Sequence, residues 1–237
     1  MNMGYACINM QLSYPQKYGG KEKGVEPITT GRSMIKRTFE TKGLDYASEL
    51  TLKNVKDLNS IISWNILNGY DFYRMSSGLA PWKTEYDWDG LKDIDSIKRW
   101  FHSAGTMAKT HGVRLTSHPG PYNVLVSPKE GSMKRFVKNF PRLPESVRSR
   151  LTLENDDKAS MYSVKDLYYG IYKEIGIPIV FDYHHHKFCT GGMSEQEALE
   201  MALSTWGDIK PVTHYSESRR DEQEDMSIRV QAHSVGC

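Results

Sequence analysis

The sequence predicts an α/β fold of repeated βα units around a parallel sheet. Three observations carry this expectation. First, Gly176-Ile177-Pro178-Ile179-Val180-Phe181-Asp182-Tyr183-His184-His185-His186 opens with a Gly/Pro stop, runs through large apolar residues and breaks into one carboxylate and three imidazoles. A strand buried on both faces of a parallel sheet has this unbroken apolar character. Second, segments with apolar residues at helical spacing lie between the predicted strands, as a βα repeat requires. Third, polar or ligand-type residues follow nearly every predicted strand, on the edge where such folds house their chemistry.

Taken in order, Met3 to Ile8 reads as a short buried strand ending at Asn9, with Tyr5 and Asn9 at its exit and a polar, Gly-rich loop running on to Gly31. Leu44 to Gly69 carries Leu50, Leu52, Val55, Leu58, Ile61, Ile62 and Ile66 at helical spacing and closes on glycine. Asp71 to Ser77 is a second strand and its exit. Ile94 to His111 is a second helix, closed by Gly112, and Val113 to Ser117 is a third strand delivering His118. The repeat then stutters: one basic helix around Met133 to Phe140 and a Pro-bearing turn precede the strand Arg150 to Leu153, which delivers Glu154. A helix from Ser163 to Ile175 leads to the apolar strand. Ser194-Glu195-Gln196-Glu197 is a capping-box start for a helix to about Trp206, and Lys210 to Thr213 is a last strand delivering His214. A closed barrel of this type has eight strands. The expectation is therefore a TIM-barrel-like parallel repeat, incomplete with about six strands, in a single domain over residues 1–237.

With 237 residues, 38% hydrophobic and 25% charged, the chain can bury one large core or two small ones, and the absence of a linker favours one domain. Its net charge of +2 neither demands nor excludes a polyanionic partner. Cys7, Cys189 and Cys237 form no CxxC pair, which argues against a disulfide framework and for a reducing compartment. Neither a signal peptide nor a membrane-length apolar run is present. The expected protein is a soluble monomer with no membrane association, cytoplasmic, or nuclear if eukaryotic.

Four strand exits offer metal-type ligands: His118, Glu154, Asp182 with His185, and His214. Such a mixture of hard oxygen and imidazole nitrogen suits Mn²⁺, Zn²⁺ or Fe²⁺ better than Ca²⁺. A cluster of this size fits a multinuclear site that activates water and clamps a phosphoryl group. Glu85 is either a further ligand or a solvated loop carboxylate, and His102 and His111 read as surface residues.

Gly4-Tyr5 with Asn9, Ile28-Thr29-Thr30-Gly31-Arg32, Phe72-Tyr73-Arg74-Met75-Ser76-Ser77, His118-Pro119-Gly120, Leu153-Glu154-Asn155-Asp156-Asp157, Phe181-Asp182-Tyr183-His184-His185-His186 and His214-Tyr215-Ser216-Glu217-Ser218-Arg219 together resemble the UV damage endonuclease family, its phage-type members most. The resemblance runs almost end to end. It implies an α/β barrel related to apurinic endonuclease IV and xylose isomerase, two or three divalent ions, most often Mn²⁺, and DNA repair by nicking a duplex 5′ to a UV photoproduct. It places metal ligands at His118, Glu154, Asp182, His185, His214 and His233, with Glu154, Asp182 and His214 central to catalysis. Tyr5, Asn9 and Tyr122 fall where the family contacts or probes the lesion. Arg32 and Lys158 are basic loop residues suited to a phosphate-bearing duplex, as is Arg219.

The departures from the family pattern are specific. Pro121 stands where the family has a Gln beside the probing Tyr122, and Val212 where many members carry a modifiable Lys. Between Val126-Ser127-Pro128 and Met133 the resemblance implies a missing helix and strand of roughly fifty residues, the strand carrying another His ligand, and beyond Cys237 a missing last strand with a Glu ligand. These two are the strands by which the count falls short of a barrel. Two other readings stay open: a non-catalytic damage-binding remnant, and a sugar isomerase or epimerase of related architecture.

Overall fold

The structure is a computed structural model describing residues 3–19, 24–117 and 131–234. It divides into two compact units, Met1–Asn123 and Val124–Cys237. Six parallel strands occur among the described residues, as expected, but they pair as two three-stranded sheets, β1-β2-β3 in the first unit and β4-β5-β6 in the second. No helix among the described residues is long and apolar enough to cross a membrane.

In the first unit β1 (Gly4–Ala6), β2 (Phe72–Met75) and β3 (Arg114–Ser117) run parallel, with Tyr5 opposite Tyr73 and Tyr73 opposite Leu115. A short turn α1 (Met10–Ser13) follows β1, and the long helices α2 (Lys36–Leu67) and α3 (Ile94–Thr110) supply the apolar faces. The start of α2 lies eight residues before the predicted Leu44. The reason is Gly43, whose φ of 62° separates a short leading helical segment from the main helix, which begins at Leu44 as predicted. The segment after the kink carries the core face the spacing predicts: Leu58, Ile61 and Ile62 pack with Tyr73, Ala104, Ala108 and Val113.

In the second unit α4 (Ser132–Asn139) and α5 (Glu145–Arg148) precede β4 (Leu153–Glu154). Then α6 (Val164–Leu167) passes through a π-helical stretch, Tyr168–Tyr172, into α7 (Lys173–Ile175), the predicted single helix with one wide turn inside it. Ser163 caps it in a capping box with Asp166. Gly176, at φ 70°, ends it in the left-handed conformation that glycine adopts at least cost. β5 (Ile179–Asp182) leads directly into the single turn α8 (Tyr183–His186), and α9 (Glu195–Leu203) starts at the capping box of Ser194 and Glu197 that the sequence announces. β6 (Thr213–His214) and the turn α10 (Arg219–Glu222) complete the unit.

Every residue of β5 is buried, as its unbroken apolar run requires. On one side it pairs with β4, Leu153 opposite Ile179 and Glu154 opposite Val180, and on the other with β6, Phe181 opposite Thr213 and Asp182 opposite His214. β6 reaches only the last two residues of β5. Upstream of it, Thr205 Oγ1 accepts from the Ile179 N–H (2.8 Å) and Trp206 Nε1 donates to the Ile179 carbonyl (2.7 Å), so the end of the α9 segment completes the ladder. Phe181, Ile179 and Ile177 centre a core with Phe140, Val164, Leu167, Ile171, Ala198 and Ala202.

Phe181 is 0% exposed, whereas Leu67 at the end of α2 is 84% exposed. Phe181→Ala should therefore cost about 3–5 kcal/mol in chemical denaturation, and Leu67→Ala at most about 0.5 kcal/mol. Equal small effects at both positions would show that β5 does not anchor the core.

Candidate metal centre

The register of the second sheet brings its ligands together. Glu154 ends β4, Asp182 ends β5 and lies opposite His214 of β6, so three strand ends deliver their side chains side by side. The chain then turns back over its own exit. Asp182 caps α8, its Oδ1 accepting from the His185 N–H at 2.9 Å. In a helical turn residues three apart share a face, and His185 is carried back until its Nε2 lies 4.0 Å from Asp182 Oδ2. The same turn buries the neighbouring rings: His184 and His186 are 1% and 4% exposed, His184 packed against Phe188 and His233 and His186 against Phe181. Burial pushes the His186 imidazole below its usual range, with Glu195 and the Met193 backbone pulling the other way.

Two ligand groups result, each with its donor atoms within 4.8 Å of one another: Glu154, Asp182 and His214, and Asp182, His185 and His233. Asp182 belongs to both and is 2% exposed. In the first group His214 Nδ1 is 3.0 Å from Glu154 Oε1 and 4.0 Å from Asp182 Oδ2. Metal–ligand bonds of about 2.0–2.2 Å put two ligands of one ion at most about twice that distance apart, so these spacings fit a divalent ion. A carboxylate common to two groups can bridge two ions.

The second group is held by partners on its outer side. His185 Nδ1 lies 2.7 Å from the Asn155 carbonyl, which can only accept, so this nitrogen carries the proton and Nε2 keeps its lone pair. His233 faces that lone pair, Nε2 to Nε2, at 2.9 Å, and its Nδ1 lies 2.7 Å from Ser216 Oγ. An antiparallel bridge between Ser218 and His233, and Arg219 Nε donating to the His233 carbonyl at 3.1 Å, hold the returning segment beside β6. Burial is the main cause that lowers the His233 pKa, with His185 and His184 adding to it and the Asp182 and Glu154 charges opposing it. A neutral imidazole is what a cation needs.

Five of the six ligands implied by the resemblance therefore converge in the second unit. His118 lies outside the described residues, as does Tyr122. Glu85 is exposed in the first unit, in a short 3₁₀ turn, and His102 and His111 are exposed as read from the sequence. Tyr5 and Asn9 are joined: Asn9 Nδ2 donates to Tyr5 Oη at 2.7 Å, Tyr5 donates to Asn65 Oδ1 at 2.5 Å, and Asn9 Oδ1 caps α1 by accepting from the Leu12 N–H. Between them Cys7 has φ 60°, a left-handed conformation unusual outside glycine, fixed by its N–H donating to the Arg74 carbonyl at 2.7 Å. The guanidinium of Arg32 is held inside its own unit, donating to Asp57 at 2.6 Å and to the Thr29 and Pro27 carbonyls. Lys158 is exposed in the turn after β4, where its N–H donates to Asp156 Oδ1. Asn155 and Ser216, both buried against the ligands, carry no sequence signal of a role in the site. Their nearness to His185 and His233 arises from contacts far apart along the chain.

The model of the family described as UV-endonuclease UvdE matches residues 1–133 and 129–235. A UV-damage endonuclease of Schizosaccharomyces pombe is 28% identical over 283 residues, covering 98% of this chain and 45% of its own length. A relative from Acanthamoeba polyphaga mimivirus is 26% identical over 280 residues, covering 99% of this chain and 79% of its own. The chain thus spans less than half of the yeast protein. Because the yeast match runs over 283 residues yet covers 98% of a 237-residue chain, about fifty of its positions have no counterpart here. The family match breaks near residue 130, where the sequence reading places the missing helix and strand. The crystal structure of SacUVDE matches with a TM-score of 0.75 at 24% identity, covering 98% of this chain and 84% of that one, which is a likeness of fold.

The Tyr5 network gives a pH prediction. Burial, opposed by the bonds with Asn9 and Asn65, pushes the Tyr5 phenol up to about 12. The folded state then holds a proton that the unfolded chain releases near pH 10. This contribution to stability is complete below about pH 10 and is lost as the pH rises toward 12. Urea unfolding from pH 9 to 12 should show a shallower alkaline decline for Tyr5→Phe than for the unaltered chain, and identical declines would contradict the assignment.

Proposed function

We propose that this chain, which belongs to the UV-endonuclease UvdE family, is a metal-dependent DNA repair endonuclease that nicks duplex DNA on the 5′ side of UV photoproducts. The observation that carries the reading is the sharing of Asp182 between two ligand groups, since two neighbouring ions are what phosphodiester hydrolysis exploits. When bound, such ions activate a water and offset the charge that develops on the phosphoryl oxygens and the departing 3′ oxygen. Mn²⁺ is the ion proposed, on the mixed carboxylate and imidazole donors.

Each residue has a proposed part. Glu154 and His214 hold one position with Asp182, and His185 and His233 hold the other, His118 being a further proposed ligand. The Asn155 carbonyl orients His185 so that its Nε2 lone pair faces the site, and the Ser216 hydroxyl, which can donate or accept, holds the His233 ring at Nδ1. Tyr5 and Asn9 are proposed to meet the damaged bases and Tyr122 to probe the duplex, which costs least where stacking is already weakened. Lys158 is proposed for the phosphate backbone. Arg32 fits that role less well, because three partners within its own unit already engage its guanidinium. The strand count and the likeness of fold to SacUVDE support a TIM-barrel-like domain, and a cytoplasmic or nuclear monomer completes the proposal.

The gap of about fifty positions favours a second reading, a damage-binding protein with little incision, because the resemblance implies that the missing segment carries another ligand. One assay separates the two. An end-labelled duplex carrying one photoproduct, incubated with the protein and Mn²⁺, should be cut 5′ to the lesion far more slowly than by a full-length relative. Chelation should abolish the cut, and Asp182→Ala should lower it by more than about 100-fold, beyond the cost of removing an outer partner. Selective binding without any cut would favour the second reading, and neither binding nor cutting would contradict both.

A further inference from the structure

We infer that Asn155 is the positioning residue of the metal centre, setting Asp182 and His185 together without being a ligand itself. The inference rests on the metal-site reading above. Asn155 is 1% exposed and follows β4, whose pairing with β5 stops at Glu154 opposite Val180. Beyond that point its side chain takes over the ladder. Its Oδ1 accepts from the Asp182 N–H at 2.8 Å and its Nδ2 donates to the Asp182 carbonyl at 3.1 Å. The carboxamide thus stands in for a peptide group, satisfying both main-chain groups of the one residue common to the two ligand groups. The Asn155 carbonyl in turn accepts from His185 Nδ1 at 2.7 Å, which leaves Nε2 as the lone-pair nitrogen on the site side.

One residue therefore holds the main chain of a shared ligand and the tautomer of a second. The two contacts can be tested apart, because side-chain substitutions spare the carbonyl. An Asp at this position keeps an acceptor for the Asp182 N–H but loses the donor, and it sets a carboxylate oxygen against the Asp182 carbonyl. Partners of this kind commonly govern metal affinity by about 10- to 100-fold. Because Asp182 is shared, the weakening reaches both ions, whereas His233→Ala weakens the position it serves.

The experiment is Mn²⁺ titration of the purified full chain, followed by electron paramagnetic resonance of free Mn²⁺, with far-UV circular dichroism and thermal unfolding on each sample. The variants are Asn155→Ala, Asn155→Asp, His233→Ala and Thr205→Ala. Thr205 is also buried and bonded to β5, at Ile179 rather than at Asp182, so its variant reports general destabilisation of the strand. The expected result is two Mn²⁺ ions per unaltered chain, both weakened about 10- to 100-fold in each Asn155 variant, with Thr205→Ala binding normally at a comparable loss of thermal stability. Normal Mn²⁺ binding by either folded Asn155 variant overturns the inference and leaves the metal centre standing. Weakened binding in Thr205→Ala equal to that in Asn155→Asp also overturns it. No Mn²⁺ bound by the unaltered chain overturns the metal centre and the inference together.

Discussion

The second unit depends on the main-chain hydrogen bonding of β5. A strand buried on both faces cannot leave an N–H or carbonyl unpaired without a cost of about 1–3 kcal/mol for each, and neither neighbouring strand runs its full length. Two side-chain devices complete it: Thr205 and Trp206 at Ile179, and Asn155 at Asp182. Because the strand is fixed at both ends, its exit is fixed as well. Asp182, at 2% exposure, then presents a carboxylate held in place through Oδ1 by the His185 N–H.

That placement organises the chemistry. A carboxylate carrying charge in a buried position needs hydrogen bonds or a cation. One oxygen of Asp182 is bonded to the His185 N–H, and the other faces His185 and His214. Four further ligand side chains collect around it from β4, α8, β6 and the segment that returns past α10, each constrained by a partner outside the cluster or by its register in the sheet. Geometry held in this way is set without an ion, and the proposed ions would complete the charge balance.

Much of this was legible in the sequence because it is periodic or local. The unbroken run into Asp182, the capping box at Ser194 and the helical spacing from Leu50 to Ile66 each rest on neighbours within a few residues, and each appears in the structure. The short helical stretch before Gly43 was not legible, since it carries no long run of apolar spacing, whereas the helix after the kink begins at Leu44 as the spacing indicates. His185 was singled out among the three consecutive histidines, but the helical turn at the strand exit that carries it back to Asp182 was not legible. Arg32 shows the opposite difficulty: a basic loop residue suits a phosphate until Asp57, twenty-five positions on, is seen to hold it. Asn155 escaped for a related reason, because a side chain that imitates a peptide group leaves no periodic signature.

The central claim is that Asp182 bridges two ion positions. Crystals grown with Mn²⁺ and measured at the manganese absorption edge would test it most directly. Two anomalous peaks are predicted, one among Glu154, Asp182 and His214 and one among Asp182, His185 and His233, each within bonding distance of an Asp182 oxygen. Peaks that avoid Asp182, or an ordered Asp182 with no anomalous peak beside it at saturating Mn²⁺, would contradict the account.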